Sequence, residues 1–273
     1  MKLLLHVGMS KAGTSAIQEM LYLNRALLME RGFCYPLAGI EGVYAHFGIH
    51  HDFTLRNSFA VLRAALAESS QCDVCVLSCE SFWLLSSEQI AKFAAELTGV
   101  DTEVILYLRS PAGYMPSSYR QAIKHEGVTQ DMVTYCRSIV GRLDFPVLLK
   151  KWQTHFPLRV RVYEKEKNHL CRSLCEVADI PPEGIIFPSG AVNATPSDGA
   201  LRVMRYANMC LSPRVSRRAR KILHQNERYF KFLPEMDNKA AVPIAREIVA
   251  GWDLAVLEQY ISKEDMGLLT KAS

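Results

Sequence analysis

Leu3-Leu4-Leu5-His6-Val7-Gly8-Met9-Ser10-Lys11-Ala12-Gly13-Thr14-Ser15 is the stretch on which the fold turns. Residues 3–7 form a short apolar run, and the loop that follows brings two glycines, a lysine and hydroxyl side chains. Beyond it Ile17, Met20, Leu21, Asn24, Leu27 and Leu28 recur near the 3.6-residue period of a helix. The unit reads as strand, loop, helix. A loop at such a junction points several backbone N–H groups in one direction, and the helix dipole adds positive potential, so the junction suits an anion.

Further units follow the same rhythm. The run 74–78 reads as a second strand, entered after an amphipathic stretch at 59–67 and left through Glu80-Ser81-Phe82-Trp83. Ser86-Ser87-Glu88-Gln89 starts a helix reaching Leu97. A strand at 103–108 ends at Arg109-Ser110-Pro111, where Ser110 caps and Pro111 opens a helix to about residue 125. Pro116 falls inside that helix and predicts a lost or bent turn. A fourth strand is expected at 158–163, and from 196 to 269 the periodicity is helical without a convincing strand. The expected class is α/β, a P-loop-like parallel sheet flanked by helices with a helical C-terminal cap. Residues 1–273 are read as one domain, with 1–165 the α/β core and 166–273 the mainly helical cap. In such sheets ligands sit beyond the carboxyl ends of the strands, where Gly8, Glu80 and Arg109 fall.

Composition narrows the classes further. The chain has 273 residues, 49% apolar and 22% charged, enough to bury about three quarters of its unfolded surface and incompatible with disorder or a coiled coil. With 32 basic and 28 acidic residues, the +4 surplus requires no nucleic-acid partner. The opening Met1-Lys2-Leu3-Leu4-Leu5 is cut short by His6 and Gly8, unlike a secretory signal. No stretch approaches the roughly 18 apolar residues of a membrane helix, so a cytoplasmic protein is expected, with peripheral association to a polysaccharide or lipid assembly as the only membrane link. Cys72, Cys75 and Cys79 lie in a strand-like run without a second cysteine pair, and Cys171 and Cys175 are spaced i, i+4 on a helix; all read as structural thiols, with no metal. Asn193-Ala194-Thr195 has the form of a glycosylation acceptor but calls for secretion.

The loop's register separates it from a nucleotide triphosphate site. Gly8 and Gly13 match the glycines of Gly-x-x-x-x-Gly-Lys-Ser/Thr, yet Thr14 stands where the lysine belongs and the lysine is at 11. The cradle is kept without the triphosphate apparatus, which favours a single 5′-phosphate. The dinucleotide fingerprint fits less well, since the middle glycine is missing.

Residues 6–18, His6-Val7-Gly8-Met9-Ser10-Lys11-Ala12-Gly13-Thr14-Ser15-Ala16-Ile17-Gln18, resemble the 5′-phosphosulfate loop of sulfotransferases that use 3′-phosphoadenosine 5′-phosphosulfate (PAPS). A second landmark of that family is a strand ending in Arg with a Ser eight residues later, and Arg109 with Ser117 reproduces it; Ser118 stands beside it as an alternative. The resemblance is closest to bacterial and carbohydrate members, with weaker similarity through residues 193–197 and around Trp252. It implies PAPS as donor, adenosine 3′,5′-bisphosphate (PAP) as product and no metal. Lys11, Ala12, Gly13, Thr14 and Ser15 would hold the 5′-phosphate, and Arg109 and Ser117 the 3′-phosphate.

Transfer to an alcohol needs a base, and Glu80 at the end of the second strand is the first candidate, since carbohydrate sulfotransferases often carry glutamate there. Glu164 is a weaker carboxylate, read first as an ion-pair residue. His46, His50 and His51 are rival bases, assigned to an irregular segment on the substrate side. The basic group Arg214, Arg217, Arg218, Arg220, Lys221 and Arg228 is either a solvated helix face or a contact for the 3′-phosphate or an anionic saccharide. Sequence thus predicts a PAPS-dependent sulfotransferase with Lys11 and Glu80 as catalytic residues, acting on a carbohydrate or glycolipid hydroxyl. The alternatives are a P-loop kinase and a non-catalytic nucleotide- or saccharide-binding relative.

Overall fold

The opening unit is present in the computed structural model, which describes residues 1–42, 44–188 and 196–271: strand β1 (Lys2–His6), then a loop, then helix α1 (Thr14–Leu23). Next come α2 (Arg25–Glu30), a two-residue strand β2 (Phe33–Cys34), α3 (Phe47–Arg56), α4 (Ala60–Glu68) and β3 (Val74–Ser78). A 3₁₀ turn at Glu80–Leu84 leads to α5 (Ser87–Glu96) and β4 (Asp101–Leu108). Then follow α6 (Pro111–Gln121), a π-helical turn at Ala122–Glu126, α7 (Met132–Ser138), α8 (Phe145–Gln153) and β5 (Leu158–Val162). The remaining helices are α9 (Tyr163–Glu166), α10 (Leu170–Val177), α11 (Asp198–Cys210), α12 (Pro213–Gln225), α13 (Val242–Ala250), α14 (Leu254–Leu257) and α15 (Lys263–Thr270). None of the helices is long and apolar enough to cross a membrane among the described residues.

The chain divides into two compact units. One draws on Met1–Arg109, Phe145–Val192 and Asp253–Leu269, the other on Ser110–Asp144, Asn193–Trp252 and Thr270–Ser273. The first holds a five-stranded, all-parallel sheet in the order β2-β3-β1-β4-β5. The expected α/β class is therefore correct. Leu3, Leu4 and Leu5 of β1 and Val104 to Leu108 of β4 are buried throughout, the continuous apolar pattern of strands covered on both faces. Because β1 lies between β3 and β4, and all strands run the same way, the loops after β1, β3 and β4 leave one edge together.

Local chemistry explains the boundaries. Ser86 and Gln89 form the reciprocal capping box that opens α5, and Ser110 accepts a bond from the N–H of Gly113 at the start of α6. Pro116 leaves α6 unbroken, and the helix widens only at the π turn. The segment around His46–Asp52 is not irregular as expected: it is helical from Phe47. Its Ile49, Asp52 and Phe53 are buried, and Asp52 accepts from the Ser58 hydroxyl at 2.9 Å and the Val61 N–H at 3.1 Å, which ties α3 to α4. Cys75 and Cys79 are buried thiols, each pushed up to about 12 by loss of water.

The regular elements described in the second unit are all helices, joined by turns and loops. Arg120 grips Asp198 with two bonds of 2.8 and 2.9 Å, and Asp198 also accepts from the N–H of Met236 at 2.9 Å. Arg220 is buried, giving hydrogen bonds to Asn208 and Ser216 at 2.6 and 2.7 Å, while Asn208 reaches the carbonyls of Ile123 and Val128. It belongs to the frame of this unit and is not among the solvated arginines with which the sequence grouped it. Residues 193–195 lie outside the described residues.

Gly199, in the first turn of α11, sets how closely that helix approaches the chain near Phe230. A Cβ there would lie 1.8 Å from the Phe230 carbonyl oxygen and 2.9 Å from Leu233 Cβ. Gly199→Ala is expected to destabilise the second unit by about 3 kcal/mol, the upper range for overpacking, because the obstacle is main chain that no rotamer clears. Urea unfolding followed by circular dichroism checks this.

Candidate functional site

The junction after β1 is built from backbone in unusual conformations. The N–H of Val7 donates to Ile105 and that of Cys79 to His6, so the sheet is complete up to the point where the loop departs. Lys11 and Gly13 then both take left-handed φ, at 64° and 76°. Glycine does so freely, whereas a non-glycine residue there carries about 1–2 kcal/mol of strain. Arg109, at the end of β4, donates from Nη1 to the carbonyl of Lys11, and its guanidinium lies 4.9 Å from the ring centre of Tyr163. The end of one strand thus holds the strained residue carried by the loop of the next.

Both glycines face closely packed side chains, and Gly13 also needs its left-handed φ. A Cβ at Gly8 would lie 2.3 Å from Thr14 Cγ2, and one at Gly13 would lie 2.2 Å from Leu170 Cδ2 of α10. Ala12, expected among the anion donors, gives its N–H to the Met9 carbonyl at 3.2 Å inside the loop. The N–H groups of Gly13, Thr14 and Ser15 precede the first intrahelical acceptor of α1. Thr14 is buried with its methyl against Gly8, while Lys11 and Ser15 are half-exposed.

Glu80 opens the 3₁₀ turn directly after β3, one strand away. Gln18, buried on the second turn of α1, donates from Nε2 to Glu80 Oε2 at 2.9 Å and to the Ser78 hydroxyl at 3.2 Å. Ser78 Oγ is in turn 2.8 Å from Nδ1 of His6, the last residue of β1. Burial holds His6 down at about 4, so the ring is neutral, and it meets Tyr107 edge-on at 5.9 Å. A continuous polar chain therefore runs from His6 through Ser78 and Gln18 to Glu80. Gln18 was quoted in the sequence motif but given no role. The available signal was a polar residue on the buried stripe Thr14, Gln18, Leu21, spaced four and three apart.

The three histidines separate. His46 is fully buried with both ring nitrogens engaged: Nδ1 accepts from the N–H of Ser78 at 3.1 Å, and Nε2 donates to the Pro36 carbonyl at 3.0 Å. Burial lowers it to about 4. It is a brace between β3 and the preceding loop and has no surface for an acceptor. His50 and His51 sit on α3. His50 is half-buried, 6.1 Å from the ring of Phe82, and lowered by burial and by His51. His51 is exposed and 2.8 Å from Glu41.

Ser117 lies on α6, in the second unit, and is half-exposed, whereas the adjacent Ser118 is buried with its hydroxyl 2.8 Å from that of Tyr135. Glu164 lies in α9, half-buried.

No family model and no curated protein sequence matches the chain. Among solved structures, a sulfotransferase from Alicyclobacillus acidocaldarius is similar at 14% identity, with 84% of this chain and 99% of that chain covered and a TM-score of 0.46. At that identity and score it bears on neither activity nor ligand.

Two measurements follow from this geometry. Gly13→Ala forces a side chain onto a left-handed φ and pushes the end of the Leu170 side chain aside, so a loss of about 1–2 kcal/mol, mostly backbone strain, is expected in chemical unfolding. On a Leu170→Ala background, which carries its own cavity cost, the added loss from Gly13→Ala should be smaller, leaving only the backbone strain. The second concerns acid. His6 and His46 titrate near 4 in the folded chain but near 6.5 when unfolded, so below pH 6.5 the unfolded state binds more protons. Stability from these rings is full above pH 6.5 and falls as pH drops toward 4, by up to about 1.4 kcal/mol per unit for each ring. Melting curves between pH 7 and pH 4 should show this slope, and His46→Gln should roughly halve it.

Proposed function

We propose that the protein transfers the sulfuryl group of PAPS to a hydroxyl of a carbohydrate or glycolipid. The observation that carries this reading is the juxtaposition, along one edge of the sheet, of a strand-to-helix loop with two glycines and Lys11 and a carboxylate that α1 itself holds through Gln18. An anion cradle alone would suit many ligands. A positioned carboxylate beside it suits group transfer to an alcohol.

The loop residues fit a terminal 5′-phosphate. Gly13, Thr14 and Ser15 present N–H groups at a helix start, Gly8 keeps the floor of the loop clear, and Lys11 adds a cation. The donor supplies a sulfuryl group bonded to that phosphate. Lys11 and the N–H groups stabilise the negative charge that grows on the phosphate oxygen as the sulfur–oxygen bond breaks. Glu80 accepts the proton of the attacking hydroxyl, whose oxygen forms the new bond to sulfur. Gln18 holds one oxygen of Glu80 and so leaves the other for that proton. Arg109 fixes the loop through the Lys11 carbonyl, and with Ser117 it is assigned the 3′-phosphate. His50 and His51 are assigned to the acceptor side. The leaving group has no β–γ bridge, so magnesium has no role in this scheme. The setting proposed is the cytoplasm, which keeps the eight cysteines reduced.

Adenosine 3′,5′-bisphosphate at 100 times its dissociation constant should raise unfolding stability by about 2.7 kcal/mol, read as a thermal shift. Lys11→Ala should abolish most of that shift. Stabilisation by ATP with magnesium, and none by the bisphosphate, would overturn the reading in favour of a kinase. Glu80→Gln should keep bisphosphate binding and lose transfer rate by about two to four orders of magnitude. Unchanged activity in that variant would move the base to His50 or His51, and binding without any turnover in the parent chain would indicate a non-catalytic role.

A further inference from the structure

One stretch of the chain carries basic residues without any carboxylate among them. Residues 199–226 carry seven Lys and Arg and no Asp or Glu, so the rest of the chain is net −3 against +4 for the whole. Helix α12 lies inside it, and burial divides that helix into two faces. Ser216 and Arg220 are buried, with Ala219, Leu223 and His224 half-buried beside them at three- and four-residue spacing. The other face presents Arg214, Arg217, Arg218 and Lys221 together with Val215 and Ile222, the last two 50% and 59% exposed. Among the described residues no carboxylate pairs with any of these four cations. Just beyond the helix the chain adds Arg228, Tyr229, Lys231 and Phe232, all exposed, Phe232 at 81%.

A solvated face would carry the charges without the large apolar side chains. A soluble polyanion would pair with the cations but gain little from Val215, Ile222 and Phe232. A bilayer with anionic lipids uses both kinds of group, since headgroups meet the cations while apolar side chains enter the acyl boundary and a tyrosine ring sits at the interface. We propose that the outward face of α12, continued through Tyr229 and Phe232, is a docking surface for an anionic lipid bilayer, with the helix lying in the plane of the interface. Arg220, turned inward onto Asn208 and Ser216, holds the helix in place and takes no part in the contact. Docking of this face is independent of the reaction at the strand ends.

Co-sedimentation of the full chain with vesicles tests this. Vesicles of phosphatidylcholine and phosphatidylglycerol at a 3:1 ratio should bind the protein at low salt, and pure phosphatidylcholine vesicles should not. Replacing Arg214, Arg217, Arg218 and Lys221 by Gln should weaken binding about fivefold for each charge removed. Ile222→Ser with Phe232→Ser, which keeps every charge, should weaken it by about tenfold or more. These side chains are exposed, so circular dichroism spectra should match the parent. Absence of binding to the anionic vesicles at low salt overturns the proposal. So does unchanged binding in the Ile222/Phe232 variant with full displacement by soluble heparin, which would mark the face as a site for polyanions.

Discussion

The left-handed backbone at Lys11 and Gly13 is the constraint around which the first unit is arranged. Two left-handed residues flanking Ala12 let the chain leave β1 and enter α1 within a few residues, and the second is open to glycine because it has no side chain to clash. The first strains a lysine, and the hydrogen bond from Arg109 to the Lys11 carbonyl offsets that strain from the neighbouring strand. Leu170 occupies the space that a side chain on Gly13 would need, so α10 and the loop fix one another. Any change in this turn alters the direction in which α1 starts, and with it everything that α1 carries.

What α1 carries is Gln18. Its amide has two donors, and both are used, on Ser78 and on Glu80. A buried amide committed to two acceptors is worth more for orientation than for stability, because any rotation leaves a polar atom unmatched in a low-dielectric setting. Ser78 passes the constraint on to His6, a ring kept neutral by burial. The last residues of β1 and β3 therefore do more than end their strands. They support the carboxylate of Glu80 through Gln18.

Electrostatics is distributed unevenly between the two units. In the first, Arg109 at the end of β4 is engaged with the loop through the Lys11 carbonyl. In the second, a 28-residue stretch without a single carboxylate holds more than the whole net charge. One of its arginines, Arg220, is internal and hydrogen-bonded to neutral partners, which is tolerable because Asn208 and Ser216 present oxygens to it. Arg202 and Arg205 give hydrogen bonds to main-chain carbonyls, whereas Arg214, Arg217 and Arg218 face outward without a carboxylate partner among the described residues.

The strand-loop-helix unit, the strand at 74–78, the capping box at Ser86 and the Ser110-Pro111 helix start were legible because each is written in adjacent residues as periodicity or cap chemistry. Strand β2 was not, since two residues show no period, and α3 was hidden by a histidine-rich composition that resembles a loop. That Lys11 and Glu80 each follow a strand end was readable from the apolar runs before them, whereas the adjacency of those strands came from the sheet order. That His46 is a buried brace while His50 lies near Phe82 was not, because burial depends on what packs against a residue from elsewhere in the chain. The same holds for Ala12, whose N–H is taken by a turn, and for Gln18, whose partners are 60 and 62 residues away. The sequence by itself determined the α/β class, the glycines of the loop and the residue types at its strand ends, since these follow from local sterics and hydrophobic pattern. Which polar atoms meet, which histidines lose their charge and which arginines face outward were decided only by the tertiary structure, because hydrogen bonding and desolvation are set by distance in space.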